Sequence, residues 1–422
     1  MSLQFQRPAT HILKARLQEP PGRMQIVAGP RQVGKTTLVR QVLNERPTGS
    51  YHMAAADDPL STQTGPSFTD AQATSTATSS SWIVHHWQLA VQRQEAWERS
   101  GIPQAKELPF TLVLDEVQLV EQWSTTIKGL WDASVAKGTP MHVILLGSAP
   151  LLVQKGLQES LTGRYELIKM PHWSFAEMNE AFGHTLEEYI YFGGYPGSQP
   201  LMKDETRWRD YVRLALIEPS ITKDVLALTR VDNPGLLRRL FEMGCEHSGQ
   251  ILALVRVSQS LQQGHTNTLA DYLRLLDAAG LLTGLQKYAA TADRQRRSPP
   301  KFQVKNNALM SALGFDAFAE AQNDRTHWGR MVESCVGAHL INTADADTEI
   351  LYWREGDLEV DFVVERRGRL AAIEVKSSPR HSRHPGLEEF CRRHPNAKPW
   401  LVGSDELPLG EFLQHDAGHW TV

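Results

Sequence analysis

The chain has 422 residues, 41% hydrophobic and 22% charged, with a formal net charge of −4 at pH 7. That length exceeds one ordinary hydrophobic core and predicts two or three domains, and the charge balance excludes a surface coated in basic residues. No apolar run of about 18 residues occurs, residues 1–17 lack the apolar core of a signal peptide, and Cys245, Cys335 and Cys391 stand far apart. We therefore expect a cytoplasmic protein with no membrane span, disulfide framework or zinc site.

Along the chain, residues 24–28, 111–114 and 142–146 have the length and composition of buried parallel strands, and 35–43 and 122–135 carry helical periodicity. The region from about 20 to 165 thus reads as α/β. One stretch breaks the rhythm: residues 57–81 are rich in Ser, Thr, Ala and Gly, as in a surface loop or disordered insertion. A helical middle follows over about 166–290, opening after Pro171 and containing the turn-like Gly193-Gly194-Tyr195-Pro196. Within it, residues 251–285 predict a helix-turn-helix and a following strand, with Thr266-Asn267-Thr268 as cap and first turn of the second helix. Residues 294–300 suit either a hairpin tip or a linker. The last region returns to strands at 349–353, 359–365 and 370–376 around a helix near 329–340. The expected domains are 1–170, 171–295 and 296–422.

Gly29-Pro30-Arg31-Gln32-Val33-Gly34-Lys35-Thr36, followed by Thr37, has the spacing of a phosphate-binding loop between a strand and a helix. Its glycines let backbone N–H groups wrap phosphates at a helix N-terminus. Lys35 is expected to reach the β- and γ-phosphates of ATP, and the Thr36 hydroxyl to ligate Mg²⁺. The strand 111–114 leads into Asp115 and Glu116, the first placed to hold Mg²⁺ through water and the second to orient and polarise an attacking water. Ser148, after the strand 142–146, is positioned to sense the γ-phosphate. Arg164 in Leu161-Thr162-Gly163-Arg164 is the arginine-finger candidate, donated in cis or by a neighbouring subunit.

These motifs, with Leu-Asp-Glu-Val-Gln (114–118), Phe-Gly-Gly-Tyr-Pro (192–196), Tyr-Leu-Arg-Leu-Leu (272–276) and the closing Glu-Val-Asp-Phe-Val-Val and Ile-Glu-Val-Lys runs, occur in a familiar order. The chain resembles the prokaryotic AAA+-type P-loop ATPases that carry a winged-helix module and a C-terminal restriction-endonuclease-like domain. The resemblance implies an ATPase module, those two further modules and a ring-like homo-oligomer. Residues 61–81 depart from the family pattern, as does Lys305-Asn306-Asn307, where an acidic residue is more usual.

A helix-turn-helix of this kind can enter a major groove, although Arg274 is its second helix's one base-reading or phosphate-contacting cation. The same module elsewhere is structural or contacts protein. In the last region Asp361 lies on one strand and Glu374-Val375-Lys376 on the next, the arrangement of restriction-type nucleases. Alternation sets Glu374 and Lys376 on one face. Asp361 and Glu374, with Glu333 from the preceding helix, are candidate Mg²⁺ ligands, and Lys376 the candidate catalytic lysine. His381, His384 and His394 have no metal-ligand spacing, and Arg380, Arg383, Arg392 and Arg393 suit a solvated basic face. The leading expectation is a DNA-directed ATPase that remodels branched or broken DNA. The alternative is a regulatory or defence switch whose C-terminal domain binds protein.

Overall fold

The computed structural model describes residues 5–57, 79–147, 160–226, 231–289, 291, 295, 298–314, 316–376 and 384–422. Most of the Ser/Thr-rich stretch at 57–81 lies outside these residues. The chain divides into two units, Met1–Met170 and Pro171–Val422.

The first unit is built on five parallel strands: β1 (Met24–Ala28), β2 (Tyr51–Ala55), β3 (Thr111–Asp115), β4 (His142–Gly147) and β5 (Tyr165–Lys169), in the order β2-β3-β4-β1-β5. Every residue of β1, β3 and β4 is buried, which is why these strands read as continuous apolar runs instead of alternating ones. Helices α1 (Pro8–Arg16) and α2 (Lys35–Asn44) supply Leu13, Leu38, Val39 and Val42 to one core, packed with Val27, Val113, Ile144 and Leu146. Helices α3 (Ser80–Glu98) and α4 (Trp123–Ala136) supply Trp82, Trp87, Trp97 and Trp131 to the other. Nothing in the sequence pattern singled out α3, because its buried face includes His86 and Gln94 among the tryptophans.

The second unit opens with α5 (Phe175–Phe182), α6 (Leu186–Phe192) and α7 (Glu205–Tyr211), and continues through two π-helical segments, Val212–Ile217 and Ser220–Leu226. Helices α8 (Pro234–Glu246), α9 (Leu254–Leu261) and α10 (Thr266–Ala278) follow, the last two forming the expected helix-turn-helix. The cap of α10 is His265, which makes no side-chain capping bond, so the Thr266-Asn267-Thr268 cap is corrected by one residue. Strands β6 (Leu282–Lys287) and β7 (Lys301–Val304) form an antiparallel hairpin, so residues 288–300 connect its two strands. Helices α11 (Asn307–Leu313), α12 (Phe318–Asn323) and α13 (Arg325–Thr343) lead into β8 (Thr348–Glu355), β9 (Leu358–Arg366) and β10 (Arg369–Val375). Helix α14 (Pro385–Arg393), β11 (Ala397–Val402) and α15 (Leu409–Phe412) complete the unit. The mixed sheet runs β11-β10-β9-β8-β6-β7, and parallel pairing of β6 with β8 makes the hairpin part of it. Among the described residues no helix is long and apolar enough to cross a membrane.

At the Gly193-Gly194 turn Asn306 and Asn307 are both fixed by hydrogen bonds, and those of Asn307 need an amide. Gly193 adopts φ +67°, and a Cβ there would lie 2.0 Å from Asn306 Oδ1. That oxygen accepts from the N–H groups of Gly194 and Ala308, each at 3.1 Å. The Asn307 amide donates to Ile190 O at 2.8 Å and Met331 O at 2.9 Å, which a carboxylate could not do.

Candidate functional site

The segment between β1 and α2 forms a tight loop whose glycines are required by geometry. A Cβ on Gly29 would lie 2.0 Å from Met170 O, and Gly34 has φ +92°, where a side chain is strained. Gln32 also adopts positive φ, at 59°. Helix α2 begins at Lys35 without a side-chain cap, so its first turn presents the partial positive charge of a helix N-terminus. Lys35 is 7% exposed, and its ammonium donates to Gly29 O at 3.0 Å and Pro30 O at 2.7 Å. Arg7 braces the loop from α1's N-cap position, its Nη1 donating to Val33 O at 3.1 Å. Neither spacing nor periodicity pointed to Arg7. Val33 is buried, Pro30, Arg31, Gly34 and Thr36 are half-buried, and Gln32 and Thr37 are exposed.

The parallel register brings β3 and β4 to the same edge. Ala28 stands opposite Gly147, and β3 ends at Asp115. Ligands of open parallel sheets sit at this carboxyl edge. Thr36 Oγ1 donates to Asp115 Oδ2 at 2.7 Å, so the loop hydroxyl and the strand carboxylate meet directly. Burial raises the Asp115 pKa against the Thr36 hydrogen bond, which lowers it, and only 5% of the residue is exposed. A buried carboxylate beside a hydroxyl and a phosphate loop is a donor set that fits Mg²⁺, which keeps few protein ligands and fills its shell with phosphate oxygens and water.

Glu116 adopts a left-handed conformation, φ 52° and ψ 38°, rare for a residue with a Cβ. Its N–H donates to Asp115 Oδ1 at 2.9 Å, and its carboxylate accepts from Gln118 Nε2. Gln118 is itself buried and so holds the carboxylate's direction. It lay in view in the Leu-Asp-Glu-Val-Gln motif, but a two-residue reach across a left-handed turn is invisible to a spacing argument.

The remaining candidates of this unit lie elsewhere. Ser148 falls outside the described residues. Arg164 sits at the other end of β1: its carbonyl accepts from Met24 N at 2.9 Å, while the phosphate loop follows Ala28. Four residues of strand separate them, about 13 Å, so the structure does not bring Arg164 to the loop of its own chain. Its guanidinium is bidentate to Asp132, at 2.7 and 3.0 Å.

In the second unit, Asp361 and Glu374 lie on the paired strands β9 and β10, and Glu333 comes from α13. Asp361 Oδ2 accepts from Val375 N at 2.8 Å. Glu374 is raised by burial and then by Asp361, and its Oε1 accepts from Lys376 Nζ at 2.8 Å. Glu333 Oε1 instead pairs with Lys301 Nζ at 2.6 Å. Burial raises the Glu333 pKa to about 7, with Lys301 pulling the other way. Among the described residues, no group of three or more His, Cys, Asp or Glu side chains is placed to hold a metal ion. His384 Nδ1 stands 4.0 Å from Glu374 Oε1, and His394 packs on the rings of Phe390 and Tyr288. Arg392 and Arg393 both pair with Glu389, and Arg380, His381 and Arg383 lie outside the described residues.

The sheet order, the glycine loop and the Thr36–Asp115 contact define a P-loop ATPase domain. Residues 21–179 match the family model of an AAA domain, which implies ATP as ligand and Mg²⁺ with it. Residues 183–320 and 328–411 match two models described as domains of unknown function, DUF8612 and DUF4143. The chain is 27% identical over 389 residues to uncharacterized proteins of Mycobacterium tuberculosis and Mycobacterium bovis, covering 89% of itself and 75% of each relative. Among solved structures, a Walker-type ATPase of Pyrococcus abyssi aligns with 72% of this chain and 94% of its own, at 14% identity and a TM-score of 0.49.

Proposed function

We propose that this chain is a Mg²⁺-dependent ATPase that acts on nucleic acid as a cytoplasmic homo-oligomer, remodelling branched or broken DNA. The observation that carries the ATPase reading is the 2.7 Å contact of Thr36 with Asp115 beside the glycine loop. Bound ATP with Mg²⁺ supplies the γ-phosphate as electrophile. Gly29, Pro30, Arg31, Gln32, Val33 and Gly34 wrap the phosphates through the backbone, and Lys35 and the α2 N-terminus neutralise their charge. Thr37 continues the first turn. Thr36 and Asp115 hold the metal, Glu116 orients the attacking water and accepts its proton, and Gln118 fixes Glu116. Ser148 senses the γ-phosphate, and Arg164, once released from Asp132, serves a neighbouring chain's site.

The DNA reading is supported by α9 and α10 with the β6–β7 hairpin beside them, the parts of a winged helix. The last region then carries a restriction-endonuclease-like sheet that grips its partner. The three cysteines, Cys245, Cys335 and Cys391, are free thiols, which suits a reducing compartment. One observation favours the second reading, a nucleotide switch directed at protein: Arg274, the one Lys or Arg of α10, is paired with Asp271.

ATP hydrolysis measured alone and with single-stranded, duplex and four-way-junction DNA separates the two, with Lys35→Ala as the blank. Strong acceleration by one DNA form is the expected result and names the substrate. Turnover indifferent to all three overturns the DNA reading and leaves the switch.

A further inference from the structure

Lys301 opens β7 and has no solvent exposure at all. An ammonium so placed loses its hydration entirely and persists only with counter-charge and hydrogen bonds. Both are supplied by one cluster. Nζ lies 2.6 Å from Glu333 Oε1, 3.8 Å from Asp361 Oδ1 and 3.9 Å from Glu359 Oε1. It donates to the Asp361 carbonyl at 3.0 Å, and the Phe362 ring closes the remaining side, its centroid 4.6 Å away. Glu359 and Asp361, two apart on β9, share a face, and Glu333 reaches the same point from α13.

Carboxylate and carbonyl oxygens gather around one point as they would around a hard cation, although with Lys301 among them the three carboxylates do not stand at metal-ligand spacing. Here a lysine of the chain occupies that point. We propose that the Lys301 ammonium is the resident cation of the Glu333–Glu359–Asp361 cluster, and that the C-terminal domain therefore takes no catalytic Mg²⁺ and cuts no phosphodiester.

Burial works against the charge on Lys301, but the carboxylates of Glu333 and Asp361 outweigh it and raise its pKa, so the proton stays. A divalent ion among the same oxygens would face that ammonium across a few ångströms of low-dielectric interior. Lys376 does not relieve the conflict, since it adds a second positive charge at Glu374. The source of Lys301 matters as well. It arrives on the β6–β7 hairpin, opposite Leu285, so the internal cation fastens the hairpin to the carboxylate strands. This inference goes beyond the ATPase reading and stands or falls without it.

The test is Mn²⁺ binding to the full chain without nucleotide, followed by the resonance of free Mn²⁺, for wild type, Asp361→Asn, Lys301→Met and the double variant. Wild type and Asp361→Asn are expected to bind equal amounts. Lys301→Met should gain one Mn²⁺ per chain, lost again in the double variant. A wild-type site that disappears in Asp361→Asn overturns the proposal, as does a folded Lys301→Met that gains none. Should Lys301→Met fail to fold, the comparison of wild type with Asp361→Asn decides alone. Neither ATP nor DNA enters the assay, so its outcome is separate from that of the hydrolysis experiment.

Discussion

Lys35 and Lys301 are both nearly sealed from solvent, at 7% and 0% exposure, yet their partners differ in kind. Lys35 is held by two backbone carbonyls of its own loop. Lys301 is held by three carboxylates from β9 and α13. Carbonyl dipoles stabilise an ammonium without cancelling its charge, and on the proposed reading that charge is set against a phosphate. Carboxylates cancel it, and Lys301 is committed to the fold. The same contrast separates the acidic groups. Asp115 is buried beside the Thr36 hydroxyl and feels the Lys35 charge only through space, whereas Glu333 touches its cation at 2.6 Å. A lysine near carboxylates is therefore not by itself the mark of a catalytic centre.

The largest effect that would sharpen this contrast is Lys35→Ala. It is expected to reduce ATP turnover by at least on the order of 10³-fold while moving the unfolding midpoint little, since removing a transition-state charge contact costs rate and not stability. A steady-state ATPase assay alongside denaturant titration checks both halves, and substantial residual turnover would break the comparison. Lys301→Met should do the reverse. Stripping the cation leaves buried carboxylates uncompensated, at a cost of about 3–5 kcal/mol to the unit that contains it. Urea unfolding followed by tryptophan fluorescence measures this, and an unchanged midpoint would mean the carboxylates never depended on Lys301.

A smaller effect isolates the carboxylates' part. Among the described residues His52 and His142 are buried bases with no acidic partner, and burial is the leading cause that lowers both to about 4. For His52 the neutral form is also required by geometry, because Arg93 Nη1 meets its Nδ1 at 2.9 Å. A pKa depressed below the unfolded value near 6.5 makes a contribution that is complete above that pH and lost as pH falls toward 4. Each histidine should thus cost the first unit about 1.4 kcal/mol per pH unit across that window. His142→Phe should flatten the slope of stability against pH by roughly half of their joint contribution, and an unaltered slope would show that His142 is protonated in the folded chain. The smallest effect is Gln118→Leu, expected to slow hydrolysis about tenfold with ATP binding intact, because Glu116 keeps its charge but loses its orientation. Nucleotide binding and turnover measured together test it, and weakened binding would place Gln118 in the phosphate loop's support instead.

The first unit was legible because its sequence pattern is local. Strands β1, β3 and β4 sit in the middle of a parallel sheet and must be apolar throughout, so their bounds were read to within a residue. The loop's glycines and Lys35 act within eight consecutive residues, and Asp115 and Glu116 follow directly from a buried strand. Helix α3 escaped notice for the opposite reason: its inner face mixes His86 and Gln94 with tryptophans, and burial there depends on partners far along the chain. Arg7 and Gln118 escaped too, since hydrogen bonds such as Arg7 to Val33 O and Gln118 to Glu116 are encoded by no period.

In the C-terminal half the sequence by itself placed Asp361 and Glu374 on successive strands, and Lys376 falls one residue past the second. The sequence also determined the helix-turn-helix, from helical spacing in α9 and α10. Only the tertiary structure decided what cation those carboxylates meet. Lys301 and Glu333 stand apart from Asp361 in sequence and are joined to it by the pairing of β6 with β8 and by the seat of α13. The physical reason is that a charge buried at long range is neutralised by whatever the fold delivers, and sequence spacing carries no record of delivery.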